Sequence, residues 1–304
     1  MKIAVTGSSG FLGTALCNFL EKEGHSLERL TSKNCDLRNA HSLSVFSQIK
    51  YDMLFHLAAW TQAGDFCIDH PGEQWIINQQ INTNVLAWWV AQQPQAKLVF
   101  MGTSCVYAPS GGLKESEYMS GEPIDSLYTY AMTKRMLYQG ARAIHKQFGL
   151  KYLCAVPSTL YGPGYHTDGR QMHFIFDLIK KIIRGKVYGE DVILWGDGNQ
   201  RREIVLVDDF VRILWELAQI FENDIFNIGA GEDYSISMFA ERISSYVGYP
   251  VAKIRYDRSR YVGARAKRLN IEKVRSAVPG YSLRSLDVGL KETIDWFYDV
   301  KAYL

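Results

Sequence analysis

Tyr130 and Lys134 stand four residues apart, and Thr103 and Cys105 follow an apolar run, Leu98-Val99-Phe100-Met101. Residues at i and i+4 share one helix face. A phenol beside an ammonium can hand a proton to a carbonyl or take one from an alcohol, because the ammonium favours phenolate and lowers the tyrosine pKa. Thr103, at a strand end, can donate to the same oxygen. Cys105 adds a second acid or base, although a cysteine in that place also serves as a small buried hydrophobe.

The elements that must hold these groups can be read from the pattern. Lys2–Thr6 is a short apolar strand, followed by Gly7-Ser8-Ser9-Gly10-Phe11-Leu12-Gly13 and a helix to about Lys22, closed by Gly24. Strand, Gly turn and helix N-terminus form a place where backbone N–H groups and the helix dipole meet a pyrophosphate. Gly7, Ser9, Gly10, Phe11, Leu12 and Gly13 are the expected contacts. The second strand, Leu27–Leu30, lacks the terminal carboxylate that would bond the ribose hydroxyls of NAD. Arg29, Ser32 and Lys33 suit a 2′-phosphate instead, so NADP(H) is expected, with NAD possible. Asp36 and Leu37 are placed to meet the adenine, and Asp36 also suits the cap of a helix from about Ala40 to Ile49. Met53–Leu57 is the third strand, and Leu57, Ala58 and Ala59 let backbone lie against the cofactor. His56 reads as a packed strand-end residue. A helix from about Glu73 to Gln93 carries Trp75, Trp88 and Trp89 among other apolar groups, which predicts a homodimer contact or a core helix.

A polar, Gly-containing loop (108–126) leads to the helix Leu127–Gln147 that bears Tyr130 and Lys134. Beyond it, Tyr152–Val156 is a strand, with Pro157 at its end a further cofactor contact. A helix over Arg170–Arg184, strands at Val192–Trp195 and Glu203–Val207, a helix capped by Asp208-Asp209, and a last helix from Asp287 to about Tyr298 follow. This is an α/β chain: a Rossmann-type doubly wound parallel sheet over 1–157, then a smaller substrate lobe over 158–304 with some segments returning to the first domain.

The bulk numbers narrow the partners. At 304 residues, 47% hydrophobic and 22% charged, the composition is that of a globular protein. A net charge of +2 gives no basic stripe for nucleic acid. The cluster Arg255, Arg258, Arg260, Arg265, Lys267 and Arg268 is a solvated face or an anion-binding edge. Five cysteines, with no CxxC pair and no metal-ligand spacing, predict a reducing, cytoplasmic setting and no metal. The chain runs straight into a strand, so no leader is expected, and the absence of an apolar run of about 18 residues predicts no membrane span.

Taken together, TGSSGFLG at 6–13, HLAA at 56–59, GTSCVY at 102–107, YAMTK at 130–134, STLYGPG at 158–164 and WGDGNQRREIVLVDD at 195–209 resemble the extended short-chain dehydrogenase/reductase family of sugar-nucleotide epimerases and dehydratases. The resemblance covers nearly the whole chain. It implies that Thr103, Tyr130 and Lys134 are catalytic, with Tyr130 and Lys134 also touching the cofactor. The family's dehydratases carry Thr-Asp-Glu where this chain has Thr103-Ser104-Cys105, which disfavours dehydration. Cys105 is similar to the catalytic cysteine of the members that epimerise C3 and C5 of a 4-keto-6-deoxy sugar nucleotide and then reduce C4 with NADPH. Their partner acid is a histidine at a helix start, and His173 falls at that place. Ser104, Lys181, Trp195, Arg202 and Lys267 fall at substrate positions, although Trp195 equally suits a core. The expected function is an NADP(H)-dependent epimerase/reductase of a 4-keto-6-deoxy sugar nucleotide, GDP-linked, using Cys105 and His173 for epimerisation and Tyr130 for reduction. A sugar-nucleotide 4-epimerase with tightly held NAD, a 4-reductase alone, an epimerase alone, a deoxyheptose version and a non-catalytic binder remain open. The segment Tyr261-Val262-Gly263-Ala264-Arg265-Ala266-Lys267, in which only the Gly and the Lys keep their places, and the loop Trp60–Asp69 depart from the pattern.

Overall fold

The structure is a computed structural model that describes residues 1–259 and 265–304. Arg260, from the basic cluster, and the divergent Tyr261-Val262-Gly263-Ala264 lie outside the described residues. Short apolar runs become β1 (Lys2–Thr6), β2 (Ser26–Leu30), β3 (Met53–His56), β4 (Lys97–Met101) and β5 (Tyr152–Pro157). β6 (Thr159–Tyr161), β7 (Ile193–Trp195), β8 (Arg201–Arg202) and β9 (Ile204–Leu206) follow, then β10 (Asp224–Ile228), β11 (Tyr234–Ser235) and β12 (Arg255–Asp257). β10 returns to the first sheet, whose order is β2-β1-β3-β4-β5-β10 with every neighbour parallel. β3 and β4 are buried along their whole length, as strands covered by helices on both faces must be. The chain leaves β1 towards β2, then crosses back to β3 on the other side. The carboxyl ends of β1 and β3 therefore meet at the switch point where such sheets bind ligands.

The helices are α1 (Phe11–Lys22), α2 (Phe66–Asp69), α3 (Pro71–Gln92), α4 (Tyr128–Phe148), α5 (Phe174–Tyr188), α6 (Val207–Ile220), α7 (Ile236–Val247), α8 (Glu272–Ala277) and α9 (Leu286–Asp299). Two hydrophobic cores result. One packs β1 to β5 with α1, α3 and α4, and takes back Phe210, Leu214, Phe226 and Val274 from later in the chain. The other joins α5, α7 and α9 through Ile179, Ile183, Phe239, Leu290 and Phe297. Phe11, at the start of α1, packs edge-on to Tyr165 and Phe176 and so ties the cofactor turn to the second core. Among the described residues no helix is long and apolar enough to cross a membrane.

Five expectations are corrected. The helix expected from Ala40 to Ile49 is a 3-10 helix over Ala40–Phe46, capped by Asn39, whose side chain accepts from His41 N–H. Asp36 does not cap it, because its carboxylate is held by Arg38. The helix expected from Arg170 starts at Phe174, since Asp168 and Arg170 close a polar turn ahead of it. The strand over Glu203–Val207 breaks at Glu203. Its buried carboxylate turns inward to accept from the N–H groups of Gly231 and Leu269, at 2.7 and 2.9 Å. Asp208 and Asp209 do not cap α6, which begins straight out of β9 with Leu206 as its uncapped start. Asp209 instead accepts from Arg284, at 2.8 Å from its N–H and 3.1 Å from Nε.

Candidate functional site

The Gly turn at the switch point is tightly built. Gly7 has φ +67°, and a Cβ there would lie 2.8 Å from the Ala58 nitrogen. A Cβ on Gly13 would lie 2.1 Å from the Gly7 oxygen. Only glycine fits either place, and the turn stays narrow enough for a ligand to approach backbone. Gly10 precedes α1, with no side chain capping the helix and no acidic residue in its first turn. Its N–H end is therefore open to an anion. Ser9 is exposed, while Phe11 and Leu12 are half-buried. The Thr6 hydroxyl lies 3.2 Å from the N–H groups of both Leu57 and Ala58, and fixes the second wall, which continues to half-buried Ala59. His56 is buried between Thr6 (2.8 Å) and Asn82 (3.1 Å), and burial pushes its pKa down to about 4. It is a neutral packing group. These residues fit a dinucleotide.

At the end of β2 the picture is mixed. Arg29 is drawn back to Glu21 on α1, at 2.9 Å. Ser32 and Lys33 sit in a turn where Thr31 N–H donates to Asn34 at 2.7 Å and Lys33 N–H donates to Thr31 Oγ1 at 3.3 Å. Asp36 is forked by Arg38, whose hydrogen bond holds the carboxyl below its ordinary range. The following Leu37 is buried. Pro157 closes β5 half-buried, and the next N–H, of Ser158, donates to the Ile228 carbonyl.

Thr103 lies by Tyr130, and Lys134 follows one turn later on the same helix, α4. Thr103 starts a 3-10 turn over Ser104–Val106, and its hydroxyl accepts from Cys105 N–H at 3.2 Å. The same side chain lies beside the Tyr130 phenol, where it favours the ionised form. Lys134 is buried, with 5% exposed, and burial pushes its ammonium down to about 8. One expectation is corrected here. Tyr130 is shifted up, not down: burial is the main cause, and the neighbouring Cys105 and Cys67 sulfurs add to it. In this state Tyr130 is a proton donor, which suits adding a proton to a carbonyl oxygen rather than removing one from an alcohol.

Beside this trio opens a cavity of about 490 Å³ between the two cores. Ser104, Cys105, His173, Lys181, Trp195, Arg202 and Lys267 all line it, although they span more than 160 positions of chain. Trp195 is 44% exposed and so is no core residue. The Lys181 ammonium lies 5.8 Å from its ring centre and 2.8 Å from Asp177. His173 is the N-terminal flank of α5. Its pKa is pushed down to about 4, first by removal from bulk water, then by the Lys267 and Arg202 cations and by His166. The residue is exposed on the cavity side. A thiol, an imidazole and three cations around one chamber can bind a diphosphate and move protons at an adjoining carbon.

Several contributors escaped the sequence reading. Arg135, one step past Lys134, is buried and donates to the carbonyls of Val106, Tyr118, Ser120 and Gly121 at 2.6 to 2.9 Å. It pins the loop that carries Tyr107 to α4. A basic residue on the inward face of an amphipathic helix was the available signal. The divergent loop 60–69 also reaches the cavity, through Ala63, Gly64, Asp65 and Ile68. Gly64 leaves room for Gln171, whose side chain a Cβ would meet at 1.9 Å. Nothing in the loop's composition foretold that contact.

Comparison with known proteins follows the same lines. Residues 3–229 match the NAD dependent epimerase/dehydratase family. GDP-L-fucose synthase 1 of Arabidopsis thaliana is 30% identical over 305 residues, 97% of this chain and 93% of that protein. GDP-L-colitose synthase of Yersinia pseudotuberculosis is 27% identical over 99% of both. The crystal structure of a GDP-L-fucose synthetase from Naegleria fowleri bound to NADP superimposes with a TM-score of 0.86 at 23% identity, over 99% of this chain and 94% of that one.

Proposed function

The chain belongs to the NAD dependent epimerase/dehydratase family, and on that premise we propose that it is an NADPH-dependent epimerase and reductase of a GDP-linked 4-keto-6-deoxy sugar. The observation that carries this reading is the meeting of Cys105 and His173 in one chamber with Lys181, Arg202 and Lys267. A 4-epimerase or a plain reductase needs Thr103, Tyr130 and Lys134 but has no use for a thiol and an imidazole on the walls of one chamber. The names of the relatives support a GDP-sugar, and the NADP bound to the similar structure supports the phosphorylated cofactor. Ser32 and Lys33, in the turn after β2, are the groups that would hold its 2′-phosphate, with Arg29 joining them by leaving Glu21.

Each residue has a task in this chemistry. The 4-keto group makes the protons at C3 and C5 acidic. One of Cys105 and His173 removes such a proton and the other returns one to the opposite face, with the electron pair held meanwhile on the C4 oxygen. Thr103 and the Tyr130 phenol donate to that oxygen. A diphosphate between Lys181 and Arg202 offsets part of the cationic charge that pushes His173 down, and so favours the protonated imidazole that acts as acid. NADPH, when bound, supplies the hydride for C4. Tyr130 then gives its proton to the C4 oxygen, and buried Lys134 steadies the phenolate left behind. The trp-rich α3 leaves Trp75 and Ile76 40% and 57% exposed, apolar surface that a second copy would cover in a homodimer. The five cysteines are free thiols, as suits the cytoplasm.

The test is a panel of GDP-, UDP- and dTDP-linked 4-keto-6-deoxy sugars with NADPH, followed at the nicotinamide absorbance. The GDP-linked sugar is expected to be consumed with a kcat/KM at least about tenfold above the others. Equal turnover of all three would remove the GDP assignment, and no oxidation of NADPH by any of them would remove the reductase.

A further inference from the structure

The resemblance places Lys267 among the substrate contacts, but its ammonium lies 3.3 Å from the sulfur of Cys105. The two come from different halves of the chain, 162 positions apart. The contact is not that of a loose surface lysine. Its segment is pinned on both sides: Arg201 N–H donates to the Arg265 carbonyl at 2.9 Å, and Leu269 N–H donates to buried Glu203 at 2.9 Å. Cys105 is held as well, by the bond from its N–H to the Thr103 hydroxyl at 3.2 Å. Two fixed backbones therefore bring an ammonium to a thiol at the wall of the sugar chamber. Among the described residues, Cys67 on α2 and Tyr130 on α4 also lie near this sulfur, and burial pushes the pKa of both up, which keeps them uncharged. The positive charge comes from Lys267.

We propose that Lys267 is a positioning residue for Cys105, holding its sulfur as the thiolate and aiming it at the sugar carbon. A thiolate accepts a charge-assisted hydrogen bond from an ammonium better than a thiol does, and the thiolate is the form that can take a proton. In the step it serves, the carbon–hydrogen bond breaks, the proton joins the sulfur, and the bonding pair moves through the ring carbon to the C4 oxygen. The ammonium keeps its own protons throughout. Lys181 and Arg202 remain to meet the diphosphate. This inference rests on the reading that Cys105 is an acid/base of the epimerisation, but its test does not depend on turnover.

The test is the rate at which iodoacetamide alkylates Cys105 at pH 6.5, read by peptide mass spectrometry. Lys267→Gln is expected to slow it about tenfold, and Lys267→Arg to keep it within about twofold of wild type, because the reagent reacts with thiolate. A Lys267→Gln rate within twofold of wild type would overturn the proposal, as would an equal loss in Lys267→Arg. Cys17 and Cys154 are 0% exposed and should stay unmodified. If Lys267→Gln unfolds and opens them, Lys267→Met is read in its place by the same criterion. Failure of the epimerase reading would show separately, as solvent exchange at C3 and C5 that survives Cys105→Ser. Failure of the Lys267 inference would leave that result as it is and show only in the alkylation rate.

Discussion

Replacing Tyr130 with phenylalanine is expected to slow reduction at C4 by about a thousandfold, within the range typical of a lost general acid. Affinity for NADPH should change by less than about threefold, since a group acting in the transition state alone lowers kcat without loosening the ground state. The phenol is kept protonated by its surroundings, so the proton is in hand when the carbonyl oxygen needs it. Removing the hydroxyl leaves Thr103 as the remaining donor to that oxygen, and a threonine hydroxyl is too weak an acid to replace it. The same environment sets an alkaline limit. Lys134 carries a charge below its value of about 8 and loses it above. The phenolate formed by proton donation is then unsupported, and kcat should fall as pH rises through that value. Stopped-flow oxidation of NADPH between pH 6 and 9.5 measures both effects. A Tyr130→Phe enzyme that reduces at the wild-type rate would remove Tyr130 from the mechanism.

Cys105→Ser is expected to remove epimerisation and spare reduction. Exchange of solvent deuterium into C3 and C5 should fall by about a thousandfold, because an alcohol cannot replace a thiolate as a base near neutral pH. A 4-keto sugar nucleotide whose C3 and C5 are already inverted should still be reduced, since Thr103, Tyr130 and Lys134 are untouched. The serine hydroxyl occupies less volume than the thiol, and Cys105 is only half-buried, so the fold should tolerate the change. Proton NMR of the sugar in D2O, without NADPH, reads the exchange directly. Exchange at the wild-type rate would dissociate Cys105 from the epimerisation.

Much of this was legible in the residues because local rules suffice for it. The strand, Gly turn and helix at Lys2–Lys22 follow from an apolar run and three glycines, and the structure finds two of those glycines in places no Cβ can occupy. Tyr130 and Lys134 share a face because helices repeat as they do. What the sequence could not supply was the outcome of competition in three dimensions. The lysine next to Tyr130 promised an acidic phenol, but burial prevails over it. Asp209 looks like a helix cap, yet Arg284, 75 positions away, claims it. Arg29 looks free for a phosphate, yet Glu21 on the neighbouring helix holds it. Trp195 could pack or bind, and only the meeting of the two cores leaves it open to the chamber. Lys267 reads as a substrate contact, and its place beside Cys105 depends on Glu203 and Arg201 anchoring a segment that has no regular structure.

One labelling experiment reaches the centre of the account, that a single chamber both inverts C3 and C5 and reduces C4. The wild-type protein is incubated in D2O with unlabelled NADPH and a GDP-linked 4-keto-6-deoxy sugar, and the product is read by NMR and mass. Deuterium is expected at C3 and C5 and protium at C4, the last delivered by the cofactor. Oxidation of NADPH with protium retained at C3 and C5 would make the protein a reductase only and contradict the role given to Cys105 and His173.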